Sequence, residues 1–400
     1  MADAVRPDAD SDPAGTTLAS RVTLPAAPFT SPSPPTDALG PWRSRHLKQL
    51  ARKLLDWPHP LPPWGVSAWL GVRDALAEIL RREPGVFLSA LAVPTVGAPL
   101  AAGDLLGAMP HLLLDLARRR LLGEQGLFWG APVNRLVSPF LGADRRFSPP
   151  LVGVLFENGV VSLRPPEEWR LEAEPTRRSW PLKHGGWLLG ADTNPLASLE
   201  AHPDKSGNNL DFGDAPVDSW LASINTARDR IARYAPELAA EHATLLAGIV
   251  PVGTPGEVSL SASYQEAIGL VYLSLNANSL TMTEALVHEV QHNKLNLLAW
   301  SDAIIENSEE NYASPVRPDP RPLWGVLLAV HAFLPVARIH RAMLEAGDPE
   351  ADPRRYADVS RVNHDGMAVL RAHAKPTPFG AAIVGGMDRL EAALWAEFSG

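Results

Sequence analysis

The chain has no cysteine. That excludes disulfides, thiolate metal ligands and cysteine nucleophiles. Any bound metal must be held by nitrogen and oxygen, a donor set that suits zinc, iron or manganese. A surplus of positive charge is also missing: 36 Lys and Arg stand against 45 Asp and Glu, for a net charge of −9. A dominant nucleic-acid role is therefore not expected. The first residues, Met1 to Asp12, are acidic and polar, with no apolar run of the kind a secretory signal needs. The apolar stretch from Phe87 to Ala117 is interrupted by Pro94, Pro99, Asp104 and Pro110, so it reads as buried helices and turns and not as a membrane span. The expectation is a soluble cytoplasmic protein with neither a nucleic-acid nor a membrane partner.

What is present is 400 residues at 46% hydrophobic. That is enough for a sizeable core and for two or three domains. Residues 1–40 are rich in Pro, Ser, Ala and Asp and read as a disordered arm. Residues 41–125 carry helical stripes, such as Leu47, Leu50, Leu54 and then Trp69, Val72, Leu76, Ile79. Residues 126–215 change texture to short apolar runs between Pro and Gly clusters. There Asn158-Gly159, set between Leu151–Phe156 and Val160–Leu163, signals a hairpin in an antiparallel β region. Residues 216–400 read as a mainly helical core. It should contain a long helix from Asp218 to about Ile249, β-like runs at 257–263 and 269–275, a loop from Ser301 to Pro322, and helices over 323–346, 355–374 and 380–398.

The chemistry concentrates in that last region, at His288-Glu289-Val290-Gln291-His292. Histidines four apart lie one above the other on a helix, so both imidazoles reach one metal ion and leave positions open for water or substrate. Thr281-Met282-Thr283-Glu284 reads as a capping box that starts this helix. The fold class expected is thus α+β and mainly helical: an N-terminal helical and antiparallel β region, followed by a zincin-like helical metal-binding core. Glu289 is either the general base of a zinc hydrolase or, in an oxygenase, a ligand or an orienting group. For the third ligand His331 leads, because it stands alone among apolar residues in Val326–Phe333 and a buried imidazole needs a partner. Glu309 and Glu310, 17 and 18 positions after His292, are the alternatives near zinc-peptidase spacing; Glu306 and Asp302 are weaker. Arg317 and Arg321 lie in Pro-flanked backbone ahead of the His331 helix, where a guanidinium fork could clamp the carboxylate of a keto acid.

Several of these elements occur together and in order. They are the HExxH helix with Asn293-Lys294-Leu295, the loop Tyr312-Ala313-Ser314-Pro315, the run Arg317-Pro-Asp-Pro-Arg321-Pro322, and the helix Gly325-Val-Leu-Leu-Ala-Val-His331-Ala-Phe333. Across residues 255–345 this resembles the bacterial HExxH peptide-modification proteins of ribosomal peptide natural product pathways, which are regarded as iron(II)/2-oxoglutarate-dependent peptide β-hydroxylases. The resemblance implies iron(II) held by His288 and His292, 2-oxoglutarate as cosubstrate, and a peptide substrate bearing a leader segment. Two other readings stand beside it: a zinc metallopeptidase with Glu289 as base, and a non-catalytic peptide-binding partner. Nothing in the sequence indicates an oligomeric state.

Overall fold

The computed structural model describes residues 20–23, 39–139, 143–164, 179–198, 207–253, 259–314 and 317–398. It divides into two compact units. One comprises Met1–Pro32, Leu47–Trp180 and Leu189–Leu196; the other comprises Ser33–His46, Pro181–Leu188 and Ala197–Gly400.

The first unit opens with β1 (Ser20–Thr23). The unit boundary falls inside α1 (Gly40–Leu55). Then come α2 (Pro63–Arg82), α3 (Pro84–Leu91), α4 (Pro94–Ala101) and α5 (Leu105–Arg118). Prolines open α2, α3 and α4, where the missing N–H costs nothing. Asp104 caps α5 by accepting from the Gly107 N–H at 2.8 Å. Of the 14 residues of α5 only Leu106 and Gly107 are not buried, which makes it the central helix of this unit. The β region follows: β2 (Leu127–Trp129), β3 (Val133–Ser138), β4 (Ala143–Leu151), β5 (Gly153–Glu157) and β6 (Val160–Arg164), and the unit boundary falls again inside β7 (Trp180–Pro181). One sheet has the order β1-β6-β5-β2 with every pair antiparallel, and β3 pairs with β4 separately. The hairpin at Asn158-Gly159 is present, and Gly159 sits at φ +80°, where glycine meets no Cβ penalty. Within the stretch expected to be a disordered arm, Ser20–Thr23 instead pair with β6, Ser20 opposite Leu163.

The second unit contains β8 (Trp187–Leu188), α6 (Val217–Tyr234), α7 (Pro236–Leu245), β9 (Gly248–Val252), β10 (Ser261–Ala262) and β11 (Leu270–Ser274). Next are α8 (Ser279–Ala299), β12 (Asn311–Ser314), β13 (Arg317–Pro322), α9 (Leu323–Glu345), α10 (Pro353–His373) and α11 (Pro378–Phe398). The long helix expected over 218–249 is in fact two helices and a strand. Pro236 offers no N–H and pushes Ala235 out of the helical region, to φ −147° and ψ 68°, so α6 ends there. The sheet order is β10-β11-β9-β8-β7, with β8, β9 and β11 parallel and β10 antiparallel at the edge. Every residue of β9 and β11 is buried, as strands covered on both faces require.

The proline run expected as loop forms a hairpin, with Tyr312 opposite Arg321. Leu323 donates its N–H to the Glu310 carbonyl at 2.8 Å, so the odd-numbered positions face β12. The prolines at 318, 320 and 322 then turn their donorless nitrogens outward, where the ladder asks for no bond. Among the described residues, α9 is the single helix long and apolar enough to cross a membrane, and 67% of that apolar window is buried inside the protein, against α8 and α10. The architecture as a whole is the expected mainly helical α+β class.

Asn293 fixes α8 to this sheet. Its Oδ1 accepts from the Gly269 N–H at 2.7 Å and its Nδ2 donates to the Leu270 carbonyl at 2.9 Å. Gly269 has φ +96°, and a Cβ there would stand 3.0 Å from the Leu245 carbonyl. Replacing Asn293 by Ala strands a buried N–H and a buried carbonyl, so urea denaturation of Asn293→Ala should show a loss of about 2–4 kcal/mol. A loss under about 0.5 kcal/mol would show that the tie does not hold the helix.

Candidate metal centre

Helix α8 begins two residues before the expected capping box. Asn278 is the cap, accepting from Leu280 and Thr281 N–H groups at 2.8 and 3.2 Å. Glu284, assigned from sequence to the box, is a turn too far along to cap. Its carboxylate instead accepts from His340 Nε2 at 2.8 Å on α9 and from the Arg355 guanidinium, with Nε at 3.0 Å, on α10. Burial pushes the Glu284 carboxyl up, but the bonds from His340 and Arg355 outweigh it and hold the group below the ordinary range.

One turn onward on the same face is His288, and one turn beyond that His292. Their rings meet edge to face, with centroids 4.2 Å apart. Phe333 of α9 closes on His288 with its centroid at 4.5 Å. Glu289 is 2% exposed, while the two histidines keep partial exposure, so the group is reachable. One ligand atom from each of His288, Glu289 and His292 lies within 4.8 Å of the others. Among the described residues this is the group able to hold a metal ion.

Electrostatics and hydrogen bonding both fit a cation. Burial, with His292 adding to it, lowers His288 to about 3 against the opposing pull of Glu289 and Glu284; burial lowers His292 to about 4. Both imidazoles are therefore neutral near pH 7, the state in which they ligate. Nδ1 of each ring and Oε2 of Glu289 are buried with no hydrogen-bond partner. Polar atoms left so are costly unless something bonds nearby, and an ion between the three side chains supplies that compensation.

The remaining residues singled out from sequence fall elsewhere. His331 is 7% exposed on α9 and neutral, lowered to about 3 by burial, Lys294 and His292. It stands outside the three-donor group. Glu306, Glu309 and Glu310 are exposed in the segment after α8, and none joins the group. Glu310 instead accepts from Tyr312 Oη at 2.5 Å and from Asn307 at 3.1 Å. Arg321 is half-buried on β13, its Nε 3.9 Å from Asp319. The Arg317 side chain lies outside the described residues. Sequence reading missed Glu284, Phe333, His340 and Arg355. Only Glu284 carried a signal, its spacing of four from His288.

No protein-family model matches the chain, and no curated protein does either. The functional reading therefore rests on the residues themselves.

Two outcomes follow from this geometry. His288→Ala and His292→Ala should each abolish metal uptake while circular dichroism stays native. His331→Ala should keep its metal but lose about 1–3 kcal/mol in denaturation. Metal loss in His331→Ala would make it a ligand after all. The second outcome concerns pH. His111, His242, His288, His292 and His331 are all held below the free value of 6.5. The unfolded chain gains protons there that the folded one refuses, so stability should be full above about pH 6.5 and fall as pH drops toward 4. A metal-free Tm flat across that window would contradict the buried, neutral assignment.

Proposed function

We propose that this chain is a metal-dependent enzyme whose centre is His288, His292 and Glu289, and that it acts as an iron(II)/2-oxoglutarate-dependent oxygenase hydroxylating a β-carbon of a ribosomally made peptide. The observation that carries the reading is the composition of the three-donor group: two imidazoles and one carboxylate, drawn from one turn of helix. Two histidines and a carboxylate with open positions are the donor set of non-haem iron(II) oxygenases. When bound, iron(II) with 2-oxoglutarate and O2 supplies the oxidising power to hydroxylate a C–H bond. The chain's part is to hold the two imidazoles neutral and the three donors converged, to cover His288 with Phe333, and to keep α8 in register through Glu284 and Asn293. The choice of 2-oxoglutarate and of a leader-bearing peptide rests on the sequence resemblance across residues 255–345. A cytoplasmic location accords with the reading.

The zinc peptidase is the second reading. It needs Glu289 free as a base, which leaves only two histidines as ligands, and neither Glu309 nor Glu310 comes to complete the set. Glu289→Gln separates the two. As a ligand, Glu289 loses its charged oxygen, and iron(II) or zinc affinity should drop about tenfold or more. As a base, it leaves metal content untouched and removes only peptide hydrolysis. Anaerobically purified protein with iron(II), 2-oxoglutarate and candidate precursor peptides should release succinate and yield a peptide heavier by one oxygen. Peptide cleavage without 2-oxoglutarate and O2, together with full metal content in Glu289→Gln, would establish the peptidase instead.

A further inference from the structure

The first unit holds a cavity of about 150 Å³ between α5, β3 and the residues around Thr193. Cavities of about this size take a benzene-sized guest. Its walls are apolar and stiff where Pro99, Pro110 and Pro132 line it. Its polar groups separate into donors and acceptors.

His111 is the principal donor. It is 6% exposed, and its Nδ1 accepts from the Val137 N–H at 3.2 Å. That bond fixes the tautomer, so Nε2 carries the proton. Burial, reinforced by Arg135 and opposed by Asp144, lowers the ring to about 3, so it stays neutral and keeps one N–H to offer. Among the described residues Nε2–H has no hydrogen-bond partner, and His111 lines the cavity. Asn134, exposed at the rim, adds an unengaged amide. Arg135 also lines the cavity, but its charge is spent: Nε and Nη2 bind the two Asp144 oxygens at 2.8 Å each, and Nη1 binds the Asp192 carbonyl at 2.7 Å.

The acceptors lie on α5, the helix that also carries His111. Leu106 and Pro110 both line the cavity, and Pro110 has no N–H to give the Leu106 carbonyl four residues back. Asp104, also in the lining, uses Oδ1 on the Gly107 N–H and keeps Oδ2. A free carboxylate at one wall and a neutralised arginine at the other disfavour an anionic guest. A fixed N–H donor at His111 leaves a purely cationic guest with a donor facing a donor. A guest that both accepts and donates, as a neutral amide does, satisfies the His111 N–H and the acceptors together.

We propose that this cavity is a binding site for a primary carboxamide, as a small molecule or as the glutamine or asparagine side chain of a peptide. The carbonyl oxygen accepts from His111 Nε2–H, the NH2 donates toward Leu106 and Asp104, and the planar group lies against proline rings. The site is independent of the metal centre and of the reaction proposed there.

The test uses the full chain labelled with 15N at histidine, so that His111 Nε2 is read directly. Propionamide should shift that resonance saturably, in the millimolar range expected for about five heavy atoms, with propionate and propylammonium at least about tenfold weaker. Asn134→Ala, at an exposed position, should weaken propionamide about threefold or more while the circular dichroism stays native. His111→Phe should abolish its binding in ligand-observed NMR. N-acetylglutamine methylamide binding more tightly than propionamide identifies a peptide side chain as the guest, whereas entry of propionamide alone identifies a small molecule. Preference for propionate or propylammonium, or an unmoved His111 resonance at about 100 mM propionamide, overturns the proposal.

Discussion

The hydrogen bonds of Asn293 govern where everything else on α8 can sit. A helix buried on most sides has no solvent-facing stripe to set its rotation, so apolar packing alone would tolerate several registers. Oδ1 on the Gly269 N–H and Nδ2 on the Leu270 carbonyl remove that freedom by coupling the helix to the start of β11. Asn293 directly follows His292, so the angle it fixes is the angle at which the motif presents its donors. Gly269 makes the approach possible, because the backbone there needs positive φ and has no room for a side chain.

The same helix is braced from its other side by α9, and the contacts run in opposite chain directions. Glu284 meets His340, and four residues on, His288 meets Phe333, seven residues back along α9. An antiparallel pair of helices thus brackets the donor group above and below. Glu284 is held ionised by Arg355 and His340, so its charge beside the histidines is already compensated.

How much of this was legible in the sequence depends on the range of the interaction. The Asn158-Gly159 hairpin, the helices of the first unit and the HExxH helix are written in local periodicity and turn chemistry, and they stand where periodicity placed them. Where a local signal had two meanings, the tertiary context chose. Thr281 to Glu284 has the spacing of a capping box, yet Asn278 lies nearer the true start and Glu284 is drawn away by His340 and Arg355, partners 56 and 71 positions distant. The apolar spacing of 218–249 ran straight through Pro236, whose backbone geometry prevailed over periodicity. His331 is buried as its apolar neighbours implied, but burial does not say which partner an imidazole takes. Here it stands outside the three-donor group.

The alternating prolines of β13 bear on more than the local ladder. A two-stranded ribbon has two open sides, and an open side with free N–H groups invites any extended chain to join it. With prolines at 318, 320 and 322 turned outward, that side of the ribbon can only accept hydrogen bonds. For a protein whose proposed substrate is an extended peptide, this carries a kinetic benefit. Substrate, and neighbouring copies of the chain in a crowded cell, find no template there on which to zip up, so unproductive capture and fibre-like growth are both suppressed at that edge.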